Sequence, residues 1–113
     1  MTKAEIIPLN DGMLFTCSGH AGYAEKGKDI VCAGISALCM ALLSSLRELH
    51  DEDIIKIRRI YTSDGFVTAE IGYPDDFYSR QKAEAVFMTV LNGLKEIEKL
   101  YPDNLIVNQL LTV

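Results

Sequence analysis

Apolar positions along the chain follow two different rhythms. Ala4-Glu5-Ile6-Ile7-Pro8-Leu9 and Met13-Leu14-Phe15-Thr16-Cys17-Ser18 are short apolar-rich runs parted by Asn10-Asp11-Gly12, the turn chemistry that joins antiparallel strands. They predict a first hairpin in which Pro8, lacking an amide proton, favours an edge. From Asp29 onward the period lengthens, and Ile35, Leu38, Cys39, Leu42, Leu46 and Leu49 keep the three-to-four spacing of one helix face. The Asp29 carboxylate can accept the free amides at Val31 and Cys32 and suits the positive helix end. The other face, with Ala33, Ala37 and Met40, is hardly polar, so this helix is expected to be covered on more than one side.

Beyond the polar break His50-Asp51-Glu52-Asp53, alternation returns. Ile54 to Tyr61 and Phe66-Val67-Thr68-Ala69-Glu70-Ile71 flank Ser63-Asp64-Gly65 and predict a second hairpin. Pro74-Asp75-Asp76 then caps a second helix with the apolar stripe Ala83, Val86, Phe87, Val90, Leu91, Leu94, Ile97 and Leu100. Lys82, Lys95, Glu96 and Lys99 fall on its wet side, Pro102 ends it, and Leu105 to Leu111 reads as a last strand. The order ββαββαβ is that of an α+β fold, with two helices on a mainly antiparallel sheet. The 113 residues suit a single domain, 1–113, with no linker or low-complexity tract.

Composition narrows the partners. A chain that is 49% hydrophobic and 24% charged is an ordinary globule, and its net charge of −5 argues against direct nucleic-acid binding through phosphate neutralisation. Ile30 to Leu46 is just long enough to suggest a membrane span, but Gly34, Ser36, Ser44 and Ser45 within it favour a buried helix and no membrane. Three cysteines without a CxxC pair, and an N-terminus without a signal-peptide core, point to a reducing cytoplasm.

Candidate chemistry gathers around one loop. Gly19-His20 closes a strand, Asp29-Ile30-Val31-Cys32 opens a helix, and the glycine-punctuated stretch between them has freedom to move. A thiol in the first turn of a helix feels the positive dipole end, which favours thiolate, and a nearby histidine can take its proton and return it to a leaving amine. Free amides at that helix end could hold an oxyanion. Spacing alone favours Cys32 as a small buried hydrophobe and His20 as a polar loop residue. Asp29 and Ser36, three before and four after Cys32, share its helix face, either to orient it or only to cap and to bond back to the helix.

Other readings of the same residues are weaker. Gly22 to Asp29 nearly spells a phosphate-binding loop, but Asp29 replaces the hydroxyl that would hold magnesium and puts an anion where phosphates would lie. Three cysteines and two histidines lack metal-site spacing, so no metal or cofactor is expected. Cys17 and Cys39 read as core residues, and His50 as a cap at the negative end of the first helix, in reserve as an alternative base.

Gly19-His20-Ala21, followed after a short loop by Gly27-Lys28-Asp29-Ile30-Val31-Cys32-Ala33-Gly34-Ile35-Ser36, resembles the ribosomal-processing cysteine protease family, Prp, and the similarity extends along most of the chain. The resemblance implies that Cys32 is the nucleophile and His20 the general base, while Gly19, Asp29 and Ser36 match further positions of the family motif. It implies a loop, Ala21 to Lys28, that covers the site and orders over substrate. It also implies a homodimeric α+β endopeptidase that removes the N-terminal extension of the bacterial large-subunit ribosomal protein numbered twenty-seven, after paired phenylalanines. An apolar groove for those rings could draw on Tyr23, Phe66, Tyr73, Phe77 or Tyr78, each of which core packing explains as well. The alternative is a non-catalytic acidic protein that binds a basic ribosomal partner during assembly.

Overall fold

A computed structural model describes residues 1–110. The elements follow in the expected order: β1 (Thr2–Leu9), β2 (Gly12–Ser18), α1 (Ile30–Asp51), β3 (Lys56–Ser63), β4 (Phe66–Gly72), α2 (Phe77–Leu100) and β5 (Leu105–Gln109). They build one five-stranded sheet in the order β3-β4-β2-β1-β5. The β1–β2, β2–β4 and β3–β4 pairings are antiparallel and β1–β5 is parallel, so the sheet is mixed.

Period-two alternation sorts each strand into two faces. Ala4, Ile6, Phe15, Cys17, Ala69, Ile71 and Leu105 are all buried on one of them, and α1 and α2 pack there as a second layer. The α1 row Val31, Ile35, Cys39, Leu42, Leu43 and Leu46 meets the α2 row Ala83, Phe87, Val90, Leu91 and Leu94 within that core. The helices approach closely because glycines lie at their crossing: a Cβ on Gly93 would stand 2.9 Å from Leu38 Cδ2, and one on Gly34 3.3 Å from Ile97 Cδ1. Long and apolar enough by composition to cross a membrane, α1 is here the core helix of a two-layer fold.

Several local expectations need correction. Pro8 lies on β1, which is interior, between β2 and β5. It fits because β5 pairs only with Thr2 to Ile6, leaving the amide-less residue beyond the ladder. The break after His50 comes later than the polar run suggests: α1 continues to Asp51, and Asp53, at φ +59°, reverses the chain so that the Ile54 amide reaches the Leu49 carbonyl at 2.8 Å. Ile54 and Ile55 therefore precede β3. Leu100 is 74% exposed in the last turn of α2, off the apolar stripe. The α1 face bearing Ala33, Ala37 and Met40 is exposed; the sheet and α2 cover only its other sides. Leu111, expected at the end of the last strand, lies outside the described residues.

Candidate active site

Segments distant in sequence meet where the end of β2 faces the start of α1. At the end of β2, Gly19 turns the chain with φ +94°, and its amide donates to the Gly65 carbonyl at 2.8 Å, one rung beyond the Ser18–Phe66 pair. Glycine is required there twice over, for the positive φ and because a Cβ would stand 2.5 Å from the Met1 carbonyl oxygen. Thr2, buried beside it, directs its hydroxyl to the Gly19 carbonyl at 3.4 Å. His20 follows on the surface with its ring against Gly65.

Asp29 is the N-cap of α1 and uses both carboxylate oxygens. Its Oδ1 accepts the Cys32 amide at 2.8 Å, while Oδ2 accepts the amides of Tyr23 at 3.0 Å and Ala24 at 3.3 Å. The bond from Cys32, helped by the loop amides and opposed by partial burial, holds the Asp29 carboxyl below its ordinary range. This anchorage is therefore complete above the ordinary carboxylate pKa and is lost as pH falls through the depressed one. Two expectations are decided by these bonds. The Cys32 amide takes the Asp29 carboxylate as the sequence predicts, which removes it from the helix-end amides free to hold an oxyanion. The amides that a phosphate would need are occupied by the protein's own carboxylate.

The loop between His20 and Cys32 is fastened at both ends. Ala21 is buried and its carbonyl accepts Asn104 Nδ2 at 3.0 Å; the Tyr23 ring meets Tyr101 edge-on at 5.2 Å. Gly22 and Gly27 carry φ of +71° and +88° with nothing within 4 Å of a Cβ built on either. The exposed stretch between the anchors has room to move over whatever lies beneath.

Two clefts adjoin beside His20 and Cys32, the second of them lined by this loop. One, of about 310 Å³, is lined by Cys17, Ile35, Cys39, Met40, Phe66 and Val67 among others. The second, of about 540 Å³, runs below Gly22, Ala24, Lys26 and Gly27. His20, Cys32, Ser36 and Asp64 line both clefts, so imidazole, thiol and hydroxyl share the boundary between them. Cys32 is half-buried and reachable, and the Ser36 hydroxyl makes no bond back to its helix. Cys17 and Cys39 are buried against each other, and that contact, with burial, pushes the Cys39 thiol far up, so it stays protonated. His50 binds the Ile57 amide through Nδ1 at 3.3 Å, at the far end of α1. Eighteen residues of helix place it about 27 Å from Cys32, out of reach as its base.

Of the five aromatic residues considered for a groove, Phe66 lines the smaller cleft, whereas Tyr23, Tyr73, Phe77 and Tyr78 line neither. Thr2, Asp64 and Gly65 join the site without having been singled out in the sequence. The Asp-Gly dipeptide marks a turn, but nothing local to it says that the β2–β4 register carries that turn to His20.

Comparison with known proteins gives this arrangement its context. The family model described as cysteine protease Prp matches residues 1–106. The chain is 33% identical over 108 residues to the ribosomal processing cysteine protease Prp of Bacillus subtilis, covering 93% of this chain and 94% of the relative. It is 29% identical over 99 residues to the protein of the same name in Staphylococcus aureus, covering 80% of this chain and 79% of that one. The crystal structure of the S. aureus ribosomal processing protease Prp with a covalently linked product peptide superposes with a TM-score of 0.72 at 27% identity, over 97% of this chain and 100% of that one. Its complex with a substrate peptide gives 0.66 at 26% identity, over the same 97% and 100%. A family match over nearly the whole chain, joined to a reachable thiol at a capped helix start, shows that this protein belongs to the cysteine protease Prp family.

Proposed function

We propose that this protein is the endopeptidase that removes the N-terminal extension of the large-subunit ribosomal protein numbered twenty-seven, using Cys32 as nucleophile and His20 as general base. The observation that carries the proposal is that both side chains line both of the clefts that meet at the start of α1. A peptide laid across that boundary would present its scissile carbonyl to the thiol. His20 takes the Cys32 proton, the thiolate attacks the carbonyl carbon, and His20 returns the proton to the leaving amine as the acyl-enzyme forms. Water then hydrolyses the thioester. A product peptide linked covalently to the S. aureus relative fits such chemistry.

Asp29 fixes the helix start and the loop together, which sets the position of Cys32 relative to whatever the loop covers. With the Cys32 amide engaged, Ser36 is the side-chain donor best placed to meet substrate, since its hydroxyl borders both clefts one turn beyond the thiol. The smaller cleft, walled by Ile35, Met40, Phe66 and Val67, suits the apolar side chains before the cut. Incubated with the extended precursor, the protein should release one shortened chain, cut after the paired phenylalanines, in the intact mass. A precursor bound yet left whole would overturn the assignment.

The same reading includes a homodimer in the reducing cytoplasm, where the thiol stays free. Its support is the uncovered α1 face, where Ile30 is 60% and Met40 45% exposed beside Ala33 and Ala37. Light scattering should give twice the 12.5 kDa chain mass. Met40→Glu should shift the protein toward monomer; a wild-type protein that is monomeric at micromolar concentration would contradict this.

A further inference from the structure

The tip of the β3–β4 hairpin has no part in the chemistry proposed above, yet it touches the residue that chemistry depends on. Asp64 and Gly65 form the two-residue turn between β3 and β4, with Gly65 at φ +72°. Two contacts tie this turn to His20. Through the backbone, the Gly65 carbonyl accepts the Gly19 amide at 2.8 Å, fixing the residue immediately before the histidine. Through space, the imidazole lies over the bare Cα of Gly65: a Cβ built there would stand 2.8 Å from His20 Nε2, 3.0 Å from Cε1 and 3.4 Å from Cδ2. Separations under about 3 Å between a Cβ and a ring atom are well inside van der Waals contact. The ring is the free end of an exposed side chain, so the ring would be what yields.

The geometry points to Gly65 as a positioning residue of the protease, a flat seat that holds the His20 imidazole at the boundary of the two clefts. The turn needs a residue that tolerates positive φ, which asparagine also does, but the seat needs the absence of any side chain, which only glycine provides. Gly22 offers the contrast within the same molecule, since it too has positive φ at +71° but nothing within 4 Å of its Cβ position. The inference rests on His20 being the general base.

The test is Gly65→Asn, which keeps a turn-compatible backbone while placing a Cβ under the ring, with Gly65→Ala beside it as a second variant. Steady-state cleavage of a precursor peptide should show kcat lowered by about 100-fold, the scale of an ångström-sized misplacement of a catalytic group, with KM changed less than about threefold. A thermal melt for each variant separates this from a loss of folding, which would lower the active fraction at assay temperature. The decisive readout is the double variant His20→Ala/Gly65→Asn: if Gly65 acts through the imidazole, Gly65→Asn adds less than about twofold once the ring is gone. Full activity in both folded Gly65 variants, or an equal Gly65→Asn effect with and without His20, overturns the seat while leaving the dyad standing. Undiminished turnover by His20→Ala alone overturns the dyad instead, and the seat with it.

Discussion

Cys32→Ala is expected to reduce cleavage of the extended ribosomal precursor by roughly ten-thousandfold or more, since removing the nucleophile of a covalent mechanism leaves only positioning and electrostatic effects. The fold should survive. What anchors the start of α1 is the Cys32 main-chain amide on Asp29, which alanine retains, and alanine is the best helix former. The thiol is half-buried and not part of the central core, so its loss opens no enclosed cavity. Peptide affinity should therefore stay within a fewfold of the parent while turnover disappears. The measurement is paired: intact mass of the precursor over time, and fluorescence anisotropy of the same peptide bound to each protein. A merely adhesive ribosome-assembly protein would bind alike with cysteine or alanine and cut with neither. Cleavage by Cys32→Ala at an undiminished rate would show that another group attacks the peptide.

How much of this could be read along the chain depended on how local each signal was. Asp29 announces itself because a cap and the Cys32 amide it accepts lie within a single turn, and the strands and helices follow from short-range periodicity. The two hairpins were legible for the same reason: Asn10-Asp11 and Asp64-Gly65 each join neighbouring strands. The sheet order was not. The pairings of β2 with β4 and of β1 with β5 are between segments separated by whole helices, and neither alternation nor turn chemistry specifies them. Those two pairings finish the site. The first brings Gly65 under His20, and the second lies beside Asn104, which holds the Ala21 carbonyl. The engagement of the Cys32 amide by Asp29 was legible for the same local reason as the hairpins, and it takes that amide out of the helix-end donors that could hold an oxyanion.

His20→Ala should lower peptide cleavage by about 10²- to 10⁴-fold, the usual contribution of a positioned acid–base group, and the size of the loss should depend on the leaving group. In the proposed mechanism the imidazole serves twice in amide cleavage, drawing the proton from the thiol and delivering it to a nitrogen too basic to depart as an anion. An ester of the same acyl peptide leaves as an alkoxide of lower basicity and needs the second service less, so the variant should retain more of its activity on the ester than on the amide. The site also allows chemical rescue. His20 is exposed and its ring rests on a glycine, so truncation to alanine clears the surface of Gly65 without disturbing the Gly19–Gly65 backbone bond. Added imidazole has a place to bind there and should restore part of the amide turnover, saturably, in His20→Ala and not in Cys32→Ala. A uniform loss on ester and amide with no rescue would mean that His20 supports the chain around Gly19 and does not carry the proton. The contrast follows from how the residue is held, with its main chain fixed by the Gly19–Gly65 bond and its ring seated on Gly65 at the boundary of the two clefts.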